Sequence, residues 1–271
     1  MSISASHPLV LIGAGNMGGA MLKGWLESGI DPEAILVVDP RPSEAMAARL
    51  KDHGVRHLAE APDGVTAGVL LVAVKPQIAA EALPPARRLV GPGTVSVSVA
   101  AGKTIAFLEE MLGGAIVRAM PNTPAMVGRG ITACYPNAAV SAADRETVTK
   151  LLSVCGPVEW VDEEVMIDAV TAVSGSGPAY VFHLVECMAE AGRKCGLPAD
   201  LAMRLARATV SGAGELMHRS DETAETLRRN VTSPNGTTAA ALSVLMAEDG
   251  LQPLMDEAIR AAFIRAGELA G

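Results

Sequence analysis

The sequence predicts a doubly wound α/β domain with a mainly parallel sheet, followed by an all-helical domain. Three observations predict it. Short apolar runs with no alternation recur through the first half, segments with helical spacing lie between them, and strand-like runs stop after about residue 163. A strand covered on both faces needs no polar side, so such runs alternating with helices imply a buried parallel sheet.

The elements follow in order. Pro8 to Ile12 is apolar and ends at glycine. Met17 to Ser28 has helical spacing and stops at Gly29. Ile35 to Val38 is the next strand, closed by Asp39-Pro40, and Ser43 caps a helix running to about His53. Val69 to Val74, Thr94 to Val99 and Ile116 to Met120 read as buried strands, with helices at Ile78 to Leu89 and Thr104 to Met111. Ile131 to Tyr135 and Val158 to Val161 read as strands at the far edge. Helical spacing then runs through Tyr180 to Cys195, Asp200 to His218, Thr223 to Arg229, Thr238 to Ala247 and Pro253 to Glu268. Gly196-Leu197-Pro198 and Ser233-Pro234-Asn235-Gly236 punctuate these segments. The expected division is residues 1–165 and 166–271, with no low-complexity linker and no internal repeat.

Composition narrows the function. The 271 residues carry a formal charge of -8, 49% hydrophobic residues and only 3% aromatics. An acidic chain with few rings and no basic patch is a poor match for nucleic acid. No apolar stretch is long enough to span a bilayer, and the first residues lack the layout of a signal peptide, so a cytoplasmic protein is expected. The four cysteines, Cys134, Cys155, Cys187 and Cys195, form no C-x-x-C pair and have no histidine at ligand spacing. They read as small apolar fillers, and no metal site is expected. His53 and His57 read as surface or loop residues.

The segment Gly13-Ala14-Gly15-Asn16-Met17-Gly18 is G-x-G-x-x-G directly after a strand and at the opening of a helix. Gly13 permits the tight turn, Gly15 lets a pyrophosphate approach the backbone, and Gly18 lets the helix pack on the sheet. The helix start offers free N–H groups and partial positive charge. Asp39, roughly 20 residues beyond Gly18, stands where an acid meets the adenosine ribose. This is the fingerprint of a Rossmann-type dinucleotide site. Asp39 suits the 2′-hydroxyl of NAD, whereas Arg41 suits the 2′-phosphate of NADP. NADP(H) is favoured, with NAD(H) also accepted. Ala73-Val74-Lys75-Pro76 and Ala100 fall at later strand ends beside the cofactor crevice. Lys75 is equally compatible with a solvated strand end. In Met120-Pro121-Asn122-Thr123-Pro124, Asn122 offers an amide to the carboxamide of nicotinamide, although a stiff loop explains the prolines as well.

Two segments of the helical half stand out. Ser174-Gly175-Ser176-Gly177-Pro178-Ala179-Tyr180 opens a long helix with small residues, which admit either a flat ring at Gly175 or a close-packed neighbour. In Val231-Thr232-Ser233-Pro234-Asn235-Gly236-Thr237-Thr238, Ser233 reads as an N-cap and Pro234 as the first helical residue. A helix start rich in hydroxyls suits a carboxylate, and equally a self-capped helix.

Taken together, these motifs resemble those of the pyrroline-5-carboxylate reductase family, in the right order and over essentially the whole chain. The resemblance implies an amino-terminal Rossmann domain and a carboxy-terminal helical domain that interleaves with a partner chain. It implies a homodimer, often gathered into a ring of dimers, and the last step of proline biosynthesis. It places the substrate, pyrroline-5-carboxylate, at Ser233, Asn235, Gly236, Thr237 and Thr238, with Thr238 at the ring nitrogen as the catalytic residue. Two departures are present. Asn235 stands where the family commonly has the first of two glycines. The stretch His57-Leu58-Ala59-Glu60-Ala61 lacks an asparagine that many members direct at the adenine ribose. A β-hydroxyacid dehydrogenase shares the two-domain plan but calls for a lysine soon after Pro178, and none follows until Lys194. A non-catalytic dinucleotide sensor would not need the Ser233 to Thr238 segment.

Overall fold

The computed structural model describes residues 3–270. The chain divides into two compact units. One runs to Gly175 and takes up the chain again from Phe263, and the other is Ser176–Ala262.

The first unit is built on an eight-stranded sheet in the order β3-β2-β1-β4-β5-β6-β7-β8. Its strands are β1 (Leu9–Ile12), β2 (Ile35–Val38), β3 (Arg56–Leu58), β4 (Val69–Val72), β5 (Val95–Ser98), β6 (Ala115–Met120), β7 (Thr132–Pro136) and β8 (Val158–Trp160). Strands β1 to β6 pair in parallel, β7 runs antiparallel to β6, and β8 is parallel to β7. β1, β2, β4 and β5 are buried at every position, the consequence of helices on both faces. β3 was not expected. Its sequence Arg56-His57-Leu58 is largely exposed, as an edge strand permits.

The helices of this unit are α1 (Asn16–Glu27), α2 (Glu44–Asp52), α3 (Ala79–Ala86), α4 (Ile105–Met111), α5 (Ala142–Leu152) and α6 (Met166–Val170). Ser43 caps α2 through the Met46 N–H, and Thr104 caps α4 through the Phe107 N–H. α5 was also not expected. A capping box opens it, with Ser141 and Asp144 each accepting the other's backbone N–H. Two cores lie on the two faces of the sheet. On one, the fully buried Trp25 of α1 donates its indole N–H to the Leu151 carbonyl at 2.8 Å, joining α1 to α5. The other gathers Leu83, Leu89 and Leu108 over Leu70 and Val72.

Cys134 and Cys155 are buried in this unit, and burial pushes the Cys134 thiol up to about 12. These two are the inert fillers expected. Cys187 and Cys195 are exposed on the chain, and Cys187 is not isolated from histidine as expected, since its Sγ lies 3.5 Å from Nε2 of His183, one helical turn earlier.

Arg118 of β6 is buried, with a side chain of which only 4% is accessible. It holds Glu164 at 3.0 Å and Asp168 at 2.9 Å. Glu164 also accepts the Ile105 N–H at 2.8 Å. One guanidinium thereby fastens the starts of α4 and α6 to the sheet. α6 continues as a π-helical turn, Thr171–Gly175.

The second unit holds α7 (Gly177–Lys194), α8 (Ala199–Arg219), α9 (Ala224–Asn230) and α10 (Thr237–Leu245). The last helix, α11 (Leu251–Ala270), begins there and ends in the first unit. α7 and α8 pack through Ala189, Ala202 and Ala206, small residues that let the helices approach closely. Among the described residues no helix is long and apolar enough to cross a membrane.

Candidate functional site

The glycine-rich turn links β1 to α1. Gly13 takes φ +88°, a region that glycine enters freely, and its N–H reaches the Val38 carbonyl at 2.9 Å. A Cβ on Gly13 would stand 3.0 Å from the Ala73 carbonyl oxygen, and one on Gly18 would collide with the Gly13 carbonyl. The turn, the first turn of α1 and the end of β4 are therefore in direct contact. Gly15 differs, since a Cβ there would meet nothing within 4 Å. It is the N-cap of α1, with no side-chain cap and no acid in the first turn. The open space beside Gly15 and the unneutralised helix start fit a diphosphate.

That space belongs to a cleft of about 510 Å³. Of the predicted cofactor residues, Ala14, Gly15, Asn16, Asp39 and Arg41 line it. Lys23, Ser43, Met46, Arg49 and Met126 line it as well. Sequence reasoning missed these. Lys23 and Arg49 point into it only because α1 and α2 flank one strand-end crevice, and nothing in local sequence marks Met126. Asp39 is central. Its Oδ2 accepts the Ala14 N–H at 2.8 Å and its Oδ1 the Arg41 N–H at 2.9 Å, while His57 Nε2 lies 2.8 Å from its carbonyl oxygen. His57, in the stretch that lacks the family's asparagine, thus braces the acid loop.

Gly13, Met17, Gly18, Ala73, Val74, Lys75, Pro76, Ala100, Asn122 and Gly175 do not line this cleft. All but Gly175 group at the carboxyl ends of β1, β4, β5 and β6 or just after them. Ala73 donates its N–H to the Ile12 carbonyl at 2.8 Å. Exposed Lys75 precedes a single 3₁₀ turn, Pro76–Ile78. Ala100 is buried. The Asn122 amide donates to Ser174 Oγ at 3.1 Å and accepts the Ile131 N–H at 3.0 Å. Asn122 is therefore a tie between the β6 loop and the π-helical turn. A Cβ on Gly175, which ends that turn, would lie 3.6 Å from Met120 Cε.

The predicted substrate residues lie in the second unit, and the helix start there needs correction. Ser233 is not an N-cap and Pro234 is not helical. α10 begins at Thr237 with Gly236 as its N-cap. Ser233 to Gly236 form a turn closed by the Gly236 N–H on the Ser233 carbonyl at 3.1 Å. Asn235 takes φ +58°, the one positive φ outside glycine among the described residues. Proline at the second turn position and a positive φ at the third are the pattern of a type II turn, which outcompetes a proline-started helix. Gly236 packs against Ser233, where a Cβ would collide with the hydroxyl. Among the described residues the side chains of Ser233, Thr237 and Thr238 have no hydrogen-bond partner, and no side chain caps α10. The turn thus leaves hydroxyls and main-chain donors open, a set that suits an anion.

Comparison with known proteins places these features in a family. The pyrroline-5-carboxylate reductase dimerisation family matches residues 164–269. The NADP oxidoreductase, coenzyme F420-dependent family matches residues 8–102. The pyrroline-5-carboxylate reductase of Pseudomonas aeruginosa is 42% identical over 269 residues, covering 97% of this chain and 96% of the relative. That of Pisum sativum is 34% identical, covering 98% and 97%. Among solved structures, a pyrroline-5-carboxylate reductase from Coxiella burnetii superposes with a TM-score of 0.90 at 32% identity, covering 98% of this chain and 99% of that one. The Plasmodium falciparum pyrroline carboxylate reductase with NADP bound gives 0.78 at 28% identity, with the same coverage.

Proposed function

The chain belongs to the pyrroline-5-carboxylate reductase family, and from that premise we propose that it reduces the cyclic imine of pyrroline-5-carboxylate to L-proline with NADP(H), in the cytoplasm. The likeness over nearly the full length of both chains, with P. aeruginosa and Pisum sativum relatives alike, carries this reading.

Bound NADPH supplies the hydride. The residues of this chain bind and orient. The N–H groups around Gly15 and Asn16 receive the diphosphate, and Asp39 and Arg41 form the adenosine end. Gly13, Met17, Gly18 and the Ala73–Pro76 segment shape the strand ends, and Ala100, Asn122 and Gly175 frame the nicotinamide end. Ser233, Asn235, Gly236 and Thr237 offer the substrate carboxylate a turn and a helix start with free donors. Thr238 Oγ1 accepts the N–H of the protonated imine and fixes the ring. A protonated imine already accepts hydride readily, so orientation and charge complementarity are the protein's main contribution. We take the assembly to be a homodimer built on the helical segment 166–271, with dimers joined in a ring.

The test follows NADPH absorbance with pyrroline-5-carboxylate as substrate. The purified protein should consume NADPH, and Thr238→Ala should lower kcat about ten- to a hundredfold while NADPH still binds. Unchanged kinetics in that variant would remove Thr238 from the site. No consumption by the unaltered protein would overturn the activity itself.

A further inference from the structure

The adenosine end of the cleft carries more positive charge than a ribose diol calls for. Lys23, Arg41 and Arg49 line it against a single carboxylate, Asp39. Both Asp39 oxygens already accept main-chain N–H groups, from Ala14 and Arg41. Lys23 faces Glu27 at 3.6 Å. Among the described residues neither Arg41 nor Arg49 has a carboxylate within ion-pair distance. Arg41 stands in the loop before α2 and Arg49 in its last turn, both exposed. Ser43, between them, uses its hydroxyl as the cap of α2. Two unmatched guanidiniums on one cleft, beside a carboxylate held by backbone, are suited to a multiply charged oxyanion.

We propose that Arg49, together with Arg41, grips the 2′-phosphate of NADP(H) and sets the preference for it over NAD(H). This rests on reading the cleft as the dinucleotide site. Arg49 is eight positions along the chain from Arg41, but α2 brings it to the same wall. A neutral ribose hydroxyl would gain little from either group, whereas a phosphate dianion gains charge-assisted hydrogen bonds from both.

Calorimetric titration of the full-length protein with 2′,5′-ADP and with 5′-AMP tests this without any catalytic readout. Arg49→Gln should weaken 2′,5′-ADP about tenfold or more and leave 5′-AMP within about twofold. Arg49 is exposed, so the variant should fold, and unchanged circular dichroism checks this. Steady-state kinetics should show a raised KM for NADPH and an unchanged KM for NADH. Equal weakening of both nucleotides, or no weakening of 2′,5′-ADP, would overturn the assignment of Arg49 while leaving the dinucleotide site intact. Failure of both nucleotides to bind the unaltered protein would overturn the cleft as a dinucleotide site, and the proposal with it.

Discussion

At Asn235 a single residue decides the shape of the turn that we assign to substrate. It holds φ +58° without being glycine. A side chain in that region costs about 1–2 kcal/mol for most residues, less for asparagine, whose short amide bonds locally. Asn235→Ala should therefore destabilise the protein by about 1 kcal/mol, and Asn235→Gly should match or exceed the parent. Urea unfolding midpoints of the two variants measure this, and equal midpoints would contradict the strained turn. The same residue shows how far sequence reading reaches. Ser233-Pro234-Asn235-Gly236 stands out as a special segment, and its likeness to a family motif is plain. Its local shape is another matter. Proline suits both the first helical position and the second position of a turn, and only the backbone of Asn235 resolves the two. Arg41 is legible from its place just after the strand-end acid, but Arg49 is not, because the wall it shares with Arg41 exists only once α2 packs on the sheet.

At the scale of elements, the central strands are legible because burial on both faces removes every polar constraint from them. β3 escapes notice for the opposite reason. At an edge, Arg56 and His57 can face water, and the run carries no apolar signal. α5 is hidden by its polar composition, although Ser141 and Asp144 stand at capping-box spacing. The clamp on Arg118 is invisible in sequence because its partners lie 46 and 50 residues away. Removing one member of a buried ionic cluster leaves uncompensated charge. Arg118→Leu should cost roughly 3–5 kcal/mol, and Arg118→Lys should recover only part of this, since one ammonium nitrogen on a shorter stem replaces the two separate nitrogens that hold Glu164 and Asp168. Chemical denaturation monitored by tryptophan fluorescence measures both. A loss below about 1 kcal/mol in the leucine variant would show that α6 is held by apolar packing alone.

For the whole molecule, the helical unit is short of a core of its own. Its buried apolar side chains are alanines, Ala189, Ala202 and Ala206, whereas Phe182 is 64% exposed and Leu216 57%. Helices with so much apolar surface in water call for a covering partner. The match of residues 164–269 to a dimerisation family points to a second copy of this chain. A Phe182→Asp, Leu216→Asp double variant should move the protein from dimer to monomer in sedimentation velocity. The unfolding midpoint of the parent should rise with protein concentration. A parent that sediments as a monomer at tens of micromolar would refute the dimer. The two-part plan itself is legible from the point where strand-like runs cease, and α7 to α11 from their spacing. What they pack against is not, since a helix face destined for another subunit reads like one destined for its own core.

The double engagement of Asp39 constrains attempts to switch coenzyme preference. Its carboxylate laces the glycine turn to the segment carrying Arg41. Grafting a foreign loop after β2 without retaining an acceptor at position 39 would unlace the turn that we assign to the diphosphate, so such chimaeras should lose affinity for both coenzymes rather than exchange one for the other.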